Sequence, residues 1–277
     1  MLALVEGVLD FLAALPMHSR YPDHGRDRAY TRSYRISRLV VGFLGVLLPI
    51  VFIVGEAAYL RGGVHVRGSL SAYYHTSMQD IYVGGLCVIA FLLITYMAGE
   101  PASWDFWASA IAGLALLVLV FFPTSRSGLP ADAPACGSVP EPAGCSPVEQ
   151  TLGEHPTAVV HAVSAAVFIA FLAVMSFLFA ISEVRSAKER AAAEASSRPG
   201  MFQKPSLFRI HSICGLVIVA AVIWVFAGAQ LGELTPLYVG EVASVLAFGV
   251  SWLFAGFYCS APTRSGRAAD SELASQG

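Results

Sequence analysis

The chain has 277 residues, 56% of them apolar and 13% charged, with a formal net charge of −2 and a mean hydropathy of +0.65. Soluble domains carry about 25% charged residues, so this composition excludes a conventional soluble domain. No basic stripe lies outside the short loops, which argues against a nucleic-acid partner. What remains is an all-α, polytopic membrane bundle whose first partner is the lipid bilayer.

The opening residues, from Met1 to Leu15, are apolar, lack a basic n-region and set Glu6 and Asp10 four apart on one helical face. They read as a helix lying on the membrane rather than as a signal peptide, within an N-terminal segment 1–36. Six stretches then meet the spanning requirement of about 20 mostly apolar residues: 37–60, 78–98, 104–123, 157–182, 206–228 and 237–258. They form one transmembrane domain, 37–260, and a Ser/Ala/Gly-rich tail, 261–277, reads as disordered.

Basic residues orient the bundle. Arg20, Arg26, Arg28, Arg32, Arg35 and Arg38 precede or open the first span, and Arg185, Lys188, Arg190, Arg198 and Lys204 lie in the loop 183–205. The positive-inside rule makes both segments cytoplasmic, with both termini inside a plasma membrane. The Ala-rich run from Glu183 to Ser197 suits a helical extension of the fourth span. Loop 124–156 then falls outside; its prolines predict irregular structure, and Cys136 and Cys145 within it are a candidate disulfide in an oxidising space.

Polar residues cluster at the outer ends of the spans. Thr76 followed by Gln79 has the form of a capping box, which starts the second span at Ser77, with His75 just outside and Asp80 in the first turn. Pro156 and Pro236 suit first helical positions. His161 and Glu241 each follow their proline by five residues, about 7.5 Å below the helix start. Glu56 ends the first span at a similar depth. The expectation is an inward-facing layer of Glu56, Asp80, His161 and Glu241, capped by Ser69, Ser71 and His75 from the loop.

Three carboxylates and two imidazoles call for a positive partner, and a divalent metal, zinc first, is the simplest. On that reading His75 and His161 are nitrogen ligands, Asp80 and Glu241 are ligands or general bases, and Ser71 supplies a hydroxyl to the reacting group. Structural alternatives stand beside each role. Asp80 can complement a helix dipole, Glu56 can pair with Arg61 or Arg67, and His155 can cap the fourth helix. His211 reads as an interfacial side chain; Tyr59, Tyr73, Tyr74 and Tyr238 as an aromatic belt. Gly84, Gly85, Ser164, Ala165 and Gly249 read as packing positions, and Cys87, Cys214 and Cys259 as small buried hydrophobes.

The Ser71-Ala-Tyr-Tyr-His75 spacing with nearby Asp80 resembles the membrane hydrolase superfamily of alkaline ceramidases and progestin and adipoQ receptors. That resemblance implies an intramembrane zinc site hydrolysing lipid amides. The chain departs from it in having six predicted spans rather than seven, and no His-x-x-x-His element near its end. The Ser-x-Ser-x-Tyr-Tyr-His-Thr segment also resembles uncharacterised bacterial six-span proteins. The leading expectation is a metal-dependent hydrolase of a lipid or lipid-linked substrate. The alternatives are a bundle that binds or moves a proton, cation or small solute through Asp80, His161 and Glu241, and b-type haem held by His75 and His161.

Overall fold

Long apolar runs broken by Pro- and Gly-bearing loops fold into seven α-helices, and no strand occurs among the described residues. The computed structural model describes residues 23–61, 66–98, 102–126, 133–138, 140, 142, 144–195, 206–228 and 234–258. The helices are α1 (Asp23–Leu60), α2 (Gln79–Thr95), α3 (Trp104–Phe121), α4 (Pro147–Leu152), α5 (Glu154–Ala195), α6 (Ser206–Ala227) and α7 (Pro236–Phe257), with a 3₁₀ turn at Ser71–His75. Five of them are long and apolar enough to cross a bilayer, and α2, at 17 residues, is a shorter apolar helix. The protein is a multi-pass helical membrane protein. The expected interfacial helix at the N-terminus and the tail 261–277 lie outside the described residues.

Residues Tyr34–Tyr258 form one compact unit. Within it α3 packs on α2 and α5, and α6 packs on α5 and α7. Helix α1 approaches α7 through glycine: a Cβ on Gly249 would stand 3.0 Å from the Gly42 carbonyl oxygen. Gly85 meets Leu48 of α1, whereas nothing faces Gly84 within 4 Å, so Gly84 is not the packing position expected of it. The core is rich in large side chains, with Trp252, Tyr73, Tyr96 and Phe248 among the most deeply buried.

Helix ends follow local chemistry with one exception. Thr235 caps α7 by accepting from the Tyr238 N–H at 3.1 Å, with Pro236 at the first position as predicted. Helix α5 continues to Ala195, as the Ala-rich run predicts. It begins at Glu154, so Pro156 sits within its first turn rather than opening it. The exception is α2, which starts at Gln79 without a side-chain cap. Thr76 donates to the Tyr73 carbonyl at 2.8 Å and accepts from the Met78 N–H at 3.1 Å. It closes the 3₁₀ turn and is not half of a capping box.

A second polar cluster lies at the other end of the bundle. The Arg38 guanidinium donates to the Tyr96 hydroxyl at 2.5 and 2.9 Å and to the Ala255 carbonyl at 3.2 Å, and it lies 5.0 Å from the Phe179 ring centroid. His211 is not interfacial. It is 1% exposed, hydrogen-bonded to the Ser251 hydroxyl at 2.9 Å and edge-on to Phe179.

Candidate functional site

The 3₁₀ turn organises the site. Tyr73 is fully buried and stacks on Phe52 of α1 at 5.5 Å, and Tyr74 meets Tyr82 of α2 edge-on at 6.1 Å. These two tyrosines anchor the turn in the core and are not belt residues, whereas Tyr59, 70% exposed, suits that role. Tyr238 is also buried. Ser69 accepts from the Ala72 N–H at 3.1 Å. The N–H groups that open such a turn have no partner within it. Here they meet Glu241 of α7, whose carboxylate accepts from the Leu70 N–H at 2.6 Å and also from the backbone and hydroxyl of Ser71.

His161 of α5 faces the C-terminal end of α3, where carbonyls lack intrahelical donors. Its Nδ1 lies 3.1 Å from the Leu119 carbonyl oxygen and 2.8 Å from that of Phe122. Carbonyl oxygens only accept, so Nδ1 carries the proton and Nε2 presents its lone pair. That Nε2 is buried and has no hydrogen-bond partner. The same logic applies to His75: Nε2 donates to the Thr124 carbonyl at 2.6 Å, leaving a buried, unpartnered Nδ1.

Ser69, Ser71, Thr124, His161, Glu241 and Ser244 share one end of a cleft of about 520 Å³ between α5, α6 and α7. Its deeper walls are Ala, Ile and Val side chains, with Ala162, Ala166, Ala170 and Ala173 in a stripe along α5. The Ser244 hydroxyl, like His161 Nε2, is buried without a partner. A smaller cavity of about 70 Å³, toward α1 and α2, is lined by Ser71 and Glu241 among apolar residues. Glu241 therefore borders both spaces.

The expected layer assembles only in part. Ser69, Ser71, His161 and Glu241 come together on the cleft. Glu56 turns to Arg67, whose Nε donates to its two oxygens at 3.0 and 3.1 Å and whose Nη2 completes the pair. This partner raises the Arg67 pKa above its ordinary value. Asp80 is exposed and lines neither space, and the exposed His155 makes no part of the site. His75 lies across the Thr124 backbone, 3.8 Å from Glu149 Oε1.

No family model, curated protein or solved structure matches this chain. Its chemistry has to be read from its own residues. The proposed zinc set of His75, Asp80, His161 and Glu241 does not converge. Among the described residues no group of three or more His, Cys, Asp or Glu is placed to hold a metal, and a catalytic zinc takes about three protein ligands. The described residues do not fit that group.

Composition and spacing miss three features. Glu149 is fully buried on α4; its Oε2 accepts from the Ser146 N–H at 2.8 Å, and its Oε1 accepts no hydrogen bond. The Ser146-Pro-Val-Glu149 sequence is itself a capping box with proline at the first helical position. Ser244 is legible only as i+3 from Glu241 on one helical face. Thr124 contributes through its backbone and has no sequence signal. Around them, Cys136 and Cys145 are disulfide-bonded with Cα atoms 5.7 Å apart, and Arg126 ties the loop to α5, donating to the Pro134 carbonyl at 2.8 Å and to Glu154 at 3.2 Å.

Proposed function

We propose that this protein crosses the membrane six times with both termini cytoplasmic, and that it binds an amphiphile in the cleft between α5, α6 and α7 near the outer face. The Arg and Lys distribution supports the topology, and the bonded Cys136–Cys145 pair suits an outer loop. One observation carries the binding reading: two buried, unpartnered polar atoms, His161 Nε2 and Ser244 Oγ, stand at one end of an otherwise apolar cleft. Leaving such atoms unpaired costs about 1–3 kcal/mol each, and a ligand with a polar end and an apolar body offsets that cost.

The chemistry we propose for the bound molecule is hydrolysis. His161 Nε2, freed by the tautomer that the α3 carbonyls impose, takes a proton from water as the water oxygen bonds to the acyl carbon, and returns that proton to the leaving alkoxide or amine as the C–O or C–N bond breaks. Ser71, whose proton goes to the Glu241 carboxylate, is held in place by it and orients the attacking water by accepting from it, while the unpartnered Ser244 hydroxyl is free to donate to the developing oxyanion. Purified protein in nanodiscs, offered long-chain esters and amides, tests both parts. His161→Gln is expected to slow turnover by about 10²–10⁴-fold while weakening binding only by the one hydrogen bond it removes, about 1 kcal/mol, and Ala166→Phe, which fills the cleft, is expected to abolish both. Wild-type turnover in His161→Gln contradicts the reaction, and undiminished binding in Ala166→Phe contradicts the site.

A second reading, a proton or small-cation relay, is favoured by Glu241 bordering both cavities. It predicts pH-driven uptake that Glu241→Gln abolishes and Ala166→Phe leaves intact.

A further inference from the structure

The amphiphile reading leaves open what kind of molecule the cleft takes, and its walls carry that question further. Cleft-lining positions on α5 run from Ala158 to Ala173, fifteen residues that rise about 22 Å along the helix. The cleft-lining residues between are Ala162, Ala165, Ala166 and Ala170 with His161 at the polar end and Ile169, so this wall is a groove of mostly small side chains. The polar groups occupy its loop end, and Ala173 of α5 and Ile218 of α6 are the lining residues farthest along their helices from it. One edge is open to the surrounding lipid: Ile223, Phe226 and Leu237 line the cleft and are nevertheless 62%, 87% and 46% exposed.

The head chemistry follows from which atoms are still unsatisfied. Glu241 already accepts from the Leu70 N–H, at 2.6 Å, and from Ser71. Among the described residues no Lys or Arg lines the cleft; Arg67 is held by Glu56, and Arg126 by Glu154 and the Pro134 carbonyl. An anionic head would therefore meet a carboxylate and no cation, and an ammonium would have to give up its water and displace the Leu70 and Ser71 donors to reach Glu241, its one counter-charge among the described lining residues. The free atoms are a neutral acceptor, His161 Nε2, and a hydroxyl, Ser244 Oγ. A hydroxyl or amide N–H fits both, donating to the first and accepting from the second through its oxygen.

We infer that the cleft selects a single unbranched chain with an uncharged, hydrogen-donating head, admitted sideways from the lipid, and that Ala173 and Ile218 set the longest chain it measures. This rests on the amphiphile reading above. Each methylene is worth about fourfold when transferred from water, but the bilayer offers the same gain, so the ruler acts by exclusion: chains that end before Ala173 and Ile218 are accepted, and longer ones lose occupancy to the lipid.

The test uses full-length protein in nanodiscs and competing straight-chain probes of equal length: primary alcohol, carboxylate, alkyl phosphate and alkyl ammonium. The alcohol is expected to bind at least about tenfold more tightly than each charged probe, with the preference reduced in Ser244→Ala. Ala173→Leu, or Ala173→Phe where it folds, is expected to shift the optimum to shorter chains without changing the head preference. If no probe binds, the amphiphile reading itself fails. If a charged probe binds as tightly as the alcohol, the head assignment is overturned while the cleft stands, and an unchanged chain optimum in both Ala173 variants overturns the ruler.

Discussion

Tyr73 shows how much the 3₁₀ turn invests in its anchor. Its ring is fully buried on Phe52, and its hydroxyl has no hydrogen-bond partner. Burial, with smaller contributions from Tyr238 and Glu56, pushes the phenol up to about 12. The unfolded chain gives up this proton near the ordinary value of about 10, so the folded state binds it more tightly. The resulting stability is fully present below about pH 10 and is lost as pH rises toward about 12. Tyr73→Phe removes both the stranded hydroxyl and this dependence. Its expected effect at neutral pH is a gain of about 1 kcal/mol, with a smaller loss of stability in alkaline titration; a large loss at neutral pH would show that the hydroxyl is needed.

The Glu56–Arg67 pair works in the opposite sense. Glu56 is 2% exposed, and Arg67 is its hydrogen-bonded cation. Arg67→Ala leaves a buried carboxylate uncompensated, and because the arginine side chain is itself 36% exposed, the expected cost is about 2–4 kcal/mol. Thermal unfolding in detergent should show that loss, and Glu56→Gln in the same background should recover part of it. No recovery would mean that Arg67 acts through packing alone.

At the scale of elements, depth was legible in the sequence and azimuth was not. The Thr235-Pro236 cap fixes where α7 begins, so Glu241 could be placed, and His161 followed similarly from Pro156 even though α5 begins two residues earlier. Which way a side chain turns about the helix axis depends on neighbours. Asp80, at a comparable depth, is turned outward, and Glu56 was captured by Arg67. Helix α4 was hidden because its capping box lies in a Pro-rich loop that composition reads as irregular. His211 was misplaced because its partner, Ser251, is forty residues away in sequence. The α1–α7 contact is the element-level feature most sensitive to volume: Gly249→Leu must force Gly42 and Val46 apart. It is expected to destabilise the protein by about 1–3 kcal/mol. Thermal unfolding unchanged from wild type would show that α1 and α7 are not locked there.

Across the described part of the molecule, two polar clusters lie at the two ends of an apolar bundle, and the one at the loop end lines the large cleft. Arg38, Tyr96, His211 and Ser251 satisfy one another among aromatic rings. The loop end instead leaves His161 Nε2 and Ser244 Oγ without partners beside the large cleft. That asymmetry is why we assign binding to the loop end and packing to the other. The most direct test is photo-crosslinking of full-length protein in nanodiscs with a straight-chain alcohol bearing a photoactivatable group in its tail, followed by mapping of the adducts. Adducts concentrated on the α5 and α6 faces that carry Ala166, Ala170, Ala173 and Val222, and lost in Ala166→Phe, are the predicted result. Adducts spread evenly over lipid-facing positions such as Val54, Phe91 and Leu114, and unchanged in that variant, would contradict the account.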